Sequence, residues 1–331
     1  MSITILKTGL LTSIQDLGRN GYQKHGIIVS GAMDVYSLRL ANILVGNKEN
    51  EAAIEITLLG PSLIIEKGTL ISITGANLSP TIDGRAVPMC RPIYLNKKSV
   101  LKFGSCKSGC RAYLAAAGGY HIEEVMNSKS TYMRAGIGGF KGRALKKDDV
   151  IGINPQNELS EKIADYLCKK DLDSSFVCPK WYIDRENFNC DNVIRVVRER
   201  QFDEFTLSSQ EDFFNNKFKI SAQSDRMGYR LSGEELKLER NFEMISEPVS
   251  FGTIQVPKDG NPIVLLADRQ TTGGYPKIAK VVDVDIRKVV QKKPGEFLKF
   301  KEISLEDAEK LYIEREKDID NLKNAIYLKL Q

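Results

Sequence analysis

Between residues 54 and 153, apolar runs are short and turn residues return every 8–12 positions. In "SLIIEKGTLISITGANLSPTIDGRAVPM" the breaks fall at Lys67-Gly68, Gly75, Pro80 and Asp83-Gly84. In "SVLKFGSCKSGCRAYLAAAGGY" they fall at Gly104, Gly109 and Gly118-Gly119. Runs this short cannot carry a series of helices. They predict an all-β barrel or sandwich rather than alternating βα units.

A second β-rich segment runs from "NVIRVVRER" at 192 to "GEFLKFKEIS" at 304. Strands are predicted at 193–197, 217–221, 249–256, 262–267, 278–284 and 296–301, with short helices near 201–205 and 208–215. One early helix is predicted at 34–46, capped by Asp34 and stopped by Gly46. A C-terminal helix begins after Ser304, with Asp307 as an acidic variant of the capping box. Its apolar positions, Leu305, Ala308, Tyr312, Ile319, Leu322 and Ile326, form a stripe that packs on the protein or on a partner. The expected organisation is 1–154 as one barrel, 155–191 as a polar connection, 192–303 as a second barrel and 304–331 as the helix.

At 331 residues the chain is long enough for two cores. Forty-eight basic residues against 43 acidic ones leave a net charge of +5, dispersed along the chain. That is no electrostatic footprint for nucleic acid. No apolar run approaches the roughly 20 residues of a membrane helix, and the N-terminus has no secretory pattern, so the expected compartment is the cytoplasm. There the six cysteines are expected as thiols. They include no CxxC pair and are accompanied by only two histidines, His25 and His121, so no structural zinc or other metal site is expected. No Walker-type phosphate loop, dinucleotide fingerprint, HExxH, GxSxG or biotin-attachment tripeptide is present. Any chemistry must come from acids, arginines, amides and backbone N–H groups.

Three polar clusters offer these groups, each with an Asp within three residues of an Arg and glycines adjacent. They are "SIQDLGRNGYQKHG", leading into "SGAMD" at 30–34, then "SAQSDRMGYRLSG", and "ADRQTTGGYPK" at the end of an apolar strand. An arginine fork binds a carboxylate or phosphate bidentately. An Asp holds that fork, acts as a base or ligates magnesium. Glycines let backbone N–H groups approach a ligand. Each cluster alone is equally a locked loop or turn.

Taken together and in order, these segments resemble the biotin-dependent carboxyltransferase-like family. "TSIQDLGRNGYQKHGIIVSGAMD", "LANILVGN", "AAIEITLLGP", "SITGAN", "RAYLAAAGGY" and "GGFKGRAL" are similar to its first half. "SAQSDRMGYRLSG", "ISEPVSFGTIQVPKDGNPIVLLADRQTTGGYPKIAKVVDVD" and "QKKPGEFLKF" are similar to its second half. The resemblance runs from about residue 3 to 308. It departs at Asn127 and Lys129, where the family has Gly and Arg, at Asp148, where it has Gly, and near 199–200, where a Gly-Pro is missing.

The resemblance implies a mainly β fold of two cyclophilin-like β-barrel domains with a few short helices. It implies ATP-dependent opening of 5-oxoproline to L-glutamate. Two partner proteins would share that work, the A and B subunits of the enzyme, of which the second is bound directly. ATP and magnesium would act at the level of the complex. An alternative is biotin-dependent carboxyl transfer to urea or another small amide, biotin being held on a separate carrier. A third is a regulatory protein that relieves inhibition of a kinase. The substrate is a small carboxylate or amide. The candidate catalytic residues are Asp16, Arg19, Asp225, Arg226, Asp268 and Arg269. The candidate substrate contacts are Gln15, Ser30, Gly31, Met33, Asp34, Gln255, Gln270, Thr271, Thr272, Gly273, Gly274 and Tyr275.

Overall fold

The computed structural model describes residues 1–169, 173–183, 192–240 and 244–330. The expected connection at 155–191 lies partly outside them, as does Cys190. By internal contacts the chain divides into two units. The first comprises 1–19, 30–189 and 319–331, and the second comprises 20–29 and 190–318.

The first unit is built on two six-stranded sheets. One has the order Val150–Gly152, Ser2–Lys7, Ser62–Ile65, Ser99–Lys102, Thr81–Ile82, Arg85–Ala86. The other has the order Phe176–Val177, Pro92–Leu95, Leu70–Asn77, Ser108–Ala116, Ala53–Thr57, Leu11–Gln15. Successive side chains of a strand point to opposite faces. Ile3 and Ile5, Leu63 and Ile65, Ile54 and Ile56, and Ile71 and Ile73 therefore share one core between the sheets. The strand Ser108–Ala116 is buried on both faces, which explains its unbroken apolar run. Its other face, with Tyr113 and Ala115, is covered by helix α1 (Val35–Leu44), and the same core takes Ile163 and Leu167 of α2 (Glu158–Cys168), which packs beside the strand Pro92–Leu95. Asp34 caps α1 as expected, accepting from Ser37 N at 3.0 Å. The strands at 2–7 and 11–15 were not legible in the sequence.

Residues 117–149 hold no strand, although the turn spacing extended the β pattern through them. The glycines decide it. Gly136, Gly138, Gly139 and Gly142 all take positive φ, and a Cβ on Gly139 would overlap Thr131 Oγ1. The segment is a coil folded back on residues 128–131.

In the second unit seven strands close into a hydrogen-bonded ring. The order is Val193–Arg198, Lys277–Val281, Thr253–Gln255, Ile263–Leu265, Gly228–Ser232, Phe218–Ile220 and Phe297–Glu302, which returns to Val193–Arg198 in parallel. The strand Gly228–Ser232 was hidden within the polar second cluster, yet it alternates buried Tyr229 and Leu231 with exposed Arg230 and Ser232. Helix α3 (Leu207–Asn215), capped by Thr206, presses Phe213 onto Phe300 with centroids 4.7 Å apart. Helix α4 (Ile286–Val290) follows the strand Lys277–Val281. A two-stranded pair, Glu247–Pro248 with Thr272–Gly273, lies outside the ring.

Helix α5 (Leu305–Lys329) starts at Ser304, whose Oγ accepts from Asp307 N at 3.1 Å. Its stripe is divided. Ile319 and Ile326 are buried in the first unit's helix-covered core. In the second unit Leu305 and Tyr312 are 58% and 43% exposed, beside a groove lined also by Val197 and Val281. No helix among the described residues is long and apolar enough to cross a membrane. The five described cysteines are free thiols.

Two positions at which the resemblance led glycine to be expected, Asn127 and Asp148, take φ of 58° and 68°. Asn and Asp are the non-glycine residues that best tolerate this region. Asp148→Gly will therefore be neutral or stabilising by up to about 1 kcal/mol, whereas Asp148→Val will cost about 1–2 kcal/mol, as read by denaturant unfolding. The neighbouring carboxylate sets part of the acid limit. Arg143 donates to Asp149 at 2.7 and 2.8 Å, and these bonds hold the Asp149 carboxyl below its ordinary pKa against the opposing effect of burial. A depressed folded pKa gives stability that is complete above the unfolded value and lost as pH falls through the folded one. Asp149→Asn will lower the denaturation midpoint at pH 7, and its deficit relative to the parent will shrink below about pH 4.

Candidate functional site

The three polar clusters meet different fates. In the first unit Asp16, at the end of the strand Leu11–Gln15, is 7% exposed and enclosed by donors. Its Oδ1 accepts from Gly18 N at 2.8 Å, Ser128 Oγ at 2.8 Å and Ser130 Oγ, and its Oδ2 accepts from Lys129 N at 2.6 Å. Arg19 is fully buried and donates to the carbonyls of Val125 and Ser130, both at 2.9 Å. These charges tie residues 16–19 to the loop 125–130. Gln15 donates to Ser13 Oγ at 3.0 Å and to the Thr131 carbonyl at 3.2 Å.

The turn at 30–34 is held in the same way. Ser30 Oγ donates to the Thr131 carbonyl at 3.0 Å, and Gly31, with φ of 92°, lies against the backbone of Leu17 and Gly18. Met33 N donates to Glu55 Oε2 and Asp34 N to Tyr113 Oη, while Tyr113 Oη donates to Glu55 Oε2 at 2.7 Å. Burial, with Glu55 and Asp34 adding to it, raises the Tyr113 pKa well above its ordinary value, so the phenol keeps its proton. Lys129 pairs with Glu51 at 2.6 Å.

In the second unit the other two clusters come together. Arg226 Nε and Nη2 donate to Asp268 Oδ2 and Oδ1 at 3.0 and 3.1 Å, with the two residues 4% and 5% exposed. Asp268 N also donates to the Arg226 carbonyl at 2.8 Å. Asp225 is exposed, and its Oδ1 accepts from Met227 N at 2.8 Å, closing the turn before the next strand.

The residues after Asp268 differ. Among the described residues the Arg269 side chain donates only to the Leu266 carbonyl, at 3.3 Å, and it stacks over Phe251 at 5.6 Å. Its Nε is buried without a hydrogen-bond partner, and no carboxylate pairs with it among the described residues. Burial lowers the pKa of its guanidinium. Gln270 and Thr271 make no side-chain hydrogen bond among the described residues. Together with Gln23, Val29, Pro248 and Val249 these three line a concavity of about 170 Å³. Val249 N donates to the Thr271 carbonyl at 3.1 Å, which continues the pairing of Glu247–Pro248 with Thr272–Gly273 and fixes one wall against the other.

Thr272 and Gly274 are exposed and Tyr275 is 45% exposed. Gln255 is buried beneath them and donates to the Tyr275 carbonyl at 3.3 Å. A Cβ on Gly273 would overlap Gln255 Nε2, so this glycine permits close approach. Lys277 pairs with Glu247 at 2.7 Å. His25 is exposed, and His121 meets Asn154 at 3.0 Å.

Gln23, Val29, Pro248 and Val249 were not legible in the sequence as wall residues. Nothing in their local pattern marks them, since only the pairing of 247–248 with 272–273 brings the latter two beside Arg269. Among the described residues no group of three or more His, Cys, Asp or Glu side chains could hold a metal ion. Asp16 is already saturated with protein donors, and Asp225 and Asp268 each face protein partners. These acids do not fit a magnesium site. The concavity is also well below the roughly 300–1,000 Å³ of pockets for drug-sized ligands, so it does not fit a nucleotide.

The profile of the carboxyltransferase domain, subdomain A and B, matches residues 25–302. The C subunit of 5-oxoprolinase from Haemophilus influenzae is 35% identical over 98% of both chains. A urea amidolyase from Saccharomyces cerevisiae is 34% identical over 94% of this chain but only 17% of its own length. In the crystal structure of the Kluyveromyces lactis urea carboxylase, 29% of that chain superimposes on 97% of this one, with a TM-score of 0.83 and 31% identity. With this extent of match in sequence and in fold, the chain belongs to the carboxyltransferase domain family, subdomains A and B.

Proposed function

We propose that this chain is the C subunit of an ATP-dependent 5-oxoprolinase that opens 5-oxoproline to L-glutamate together with the A and B subunits, in the cytoplasm. The observation that carries the reading is reciprocal coverage: the bacterial 5-oxoprolinase protein matches this chain over 98% of each. The urea amidolyase shares only 17% of its own length.

A lactam is a stable amide, so its opening must be coupled to an energy source. ATP and magnesium act at the level of the complex. The acids of this chain do not fit them, and no step here passes through them. What this chain brings is a binding wall. Arg269 offers charge, while Gln270 and Thr271 offer an amide and a hydroxyl that make no hydrogen bond among the described residues. In the second unit Arg226 and Asp268 hold the loop behind that wall, and in the first unit Asp16 and Arg19 hold the 125–131 coil.

A second reading is carboxyl transfer from a carrier-held biotin to urea or another small amide. It is favoured by the likeness to urea carboxylase. A third, a binding protein that relieves inhibition of a kinase, would need the partner surface but not the polar wall. Arg269→Ala would then leave that regulation intact.

Mixing the three proteins of the complex will give ATP turnover that depends on 5-oxoproline and disappears when this chain is omitted. Undiminished turnover without it would end the assignment. Asp268→Ala will lose about 3–5 kcal/mol of stability, because it leaves Arg226 buried without its partner, and denaturant unfolding reads this directly. A variant at 268 that keeps full stability yet loses turnover would instead place Asp268 on the substrate.

A further inference from the structure

Three buried or half-buried arginines were candidates to bind an anion, and the structure separates them. Arg19 is engaged by two carbonyls and lies beneath the 125–130 coil. Arg226 is engaged bidentately by Asp268. Arg269 has one long bond to a carbonyl, a ring face and no acid among the described residues. A guanidinium removed from water without a counter-charge is unfavourable. It is maintained where a ligand supplies the missing charge. The wall beside it offers Gln270 and Thr271, whose side chains make no hydrogen bond among the described residues, and the apolar Val29, Pro248 and Val249. A volume of about 170 Å³ admits a molecule of a few heavy atoms.

We infer that this concavity is a carboxylate subsite in which Arg269 reads the free carboxylate of a small substrate, so that the chain selects a monoanion over a neutral amide. This deepens the 5-oxoprolinase reading and rests on it only for the identity of the anion. 5-Oxoproline carries a carboxylate beside its lactam ring. The guanidinium fork meets the two oxygens, Gln270 and Thr271 supply hydrogen bonds at the rim, and the ring lies against Pro248 and Val249. Urea has no charge to offer and would leave Arg269 as it is. The arginine is thereby a specificity determinant, and the opening of the lactam is performed elsewhere in the complex.

The test uses the full chain with ¹⁵N-labelled arginine, the Arg269 Nε–H resonance being assigned by its loss in Arg269→Lys. The probes are 5-oxoproline, acetate, inorganic phosphate and 2-pyrrolidinone, the same lactam without the carboxylate. The expected result is a saturable shift of the Arg269 resonance with 5-oxoproline, a weaker one with acetate and none with 2-pyrrolidinone. Arg269→Met will weaken 5-oxoproline binding at least tenfold. The same variant will melt no lower than the parent, because it removes a desolvated charge, and this shows that the fold survives. In the assembled complex it will raise KM for 5-oxoproline at least tenfold with a smaller change in kcat, the signature of lost substrate binding.

An equal response to 2-pyrrolidinone, no response to any carboxylate, or unchanged 5-oxoproline binding in Arg269→Met would each overturn the inference. Tighter binding of phosphate than of every carboxylate would also overturn it, in favour of a phosphoryl subsite. Absence of 5-oxoproline-dependent ATP turnover in the complex would refute the 5-oxoprolinase reading, while the shift of the Arg269 resonance with acetate would still decide the carboxylate subsite.

Discussion

The bidentate pair between Arg226 and Asp268 sits where two strands of the second unit's ring end side by side. Gly228 is in register with Leu265, and the pair extends that alignment past the last ladder bond into the loops. Two nearly parallel bonds between planar groups fix direction as well as distance. Asp268 is therefore held inward, and the chain that leaves it must turn outward. That turn presents Arg269, Gln270 and Thr271 together. Without the pair, three polar residues in succession would be a mobile loop. With it, they form a wall of fixed shape, opposed by the segment at 247–249.

The first unit uses the same device at another scale. Asp16 takes bonds from Gly18, Ser128, Lys129 and Ser130, replacing water with protein donors on both of its oxygens. The coil at 117–149 bonds neighbouring strands through backbone groups such as Thr131 N to the Ile14 carbonyl and Leu145 N to the Thr12 carbonyl, and Asp16 satisfies the Lys129 N–H beside them. Charges committed inward in this way shape a surface without belonging to it. Motifs of like composition, each an Asp beside an Arg and a glycine, thus differ in whether their arginine is engaged by an acid or by carbonyls of the protein among the described residues.

Much of the fold was legible because it follows from local periodicity. Asp34 before an apolar stripe gave α1, Ser304 gave α5, and the turn spacing gave the two β-rich halves. What escaped was decided at long range. The strand Gly228–Ser232 looked like a polar motif because only two of its side chains face the core. The coil at 117–149 looked like more sheet because glycines at positive φ and glycines in ordinary turns read alike. For the site, the sequence marked Arg269, Gln270 and Thr271 but ranked Asp16, Arg19 and Arg226 beside them. Whether an arginine is already satisfied depends on residues 42 to 111 positions away, such as Asp268 for Arg226 and Ser130 for Arg19, and no local pattern records that.

The near-complete burial of Arg226 and Asp268 also bears on solution conditions. Mobile ions screen charges over roughly 8–10 Å at moderate salt, but they act weakly on pairs from which water is excluded. The loop geometry behind the wall is thus insulated from ionic strength. An exposed bridge such as Lys98 with Glu66 has no such protection, and halophilic or dilute surroundings would alter the periphery of this protein while leaving the frame of its polar wall unchanged.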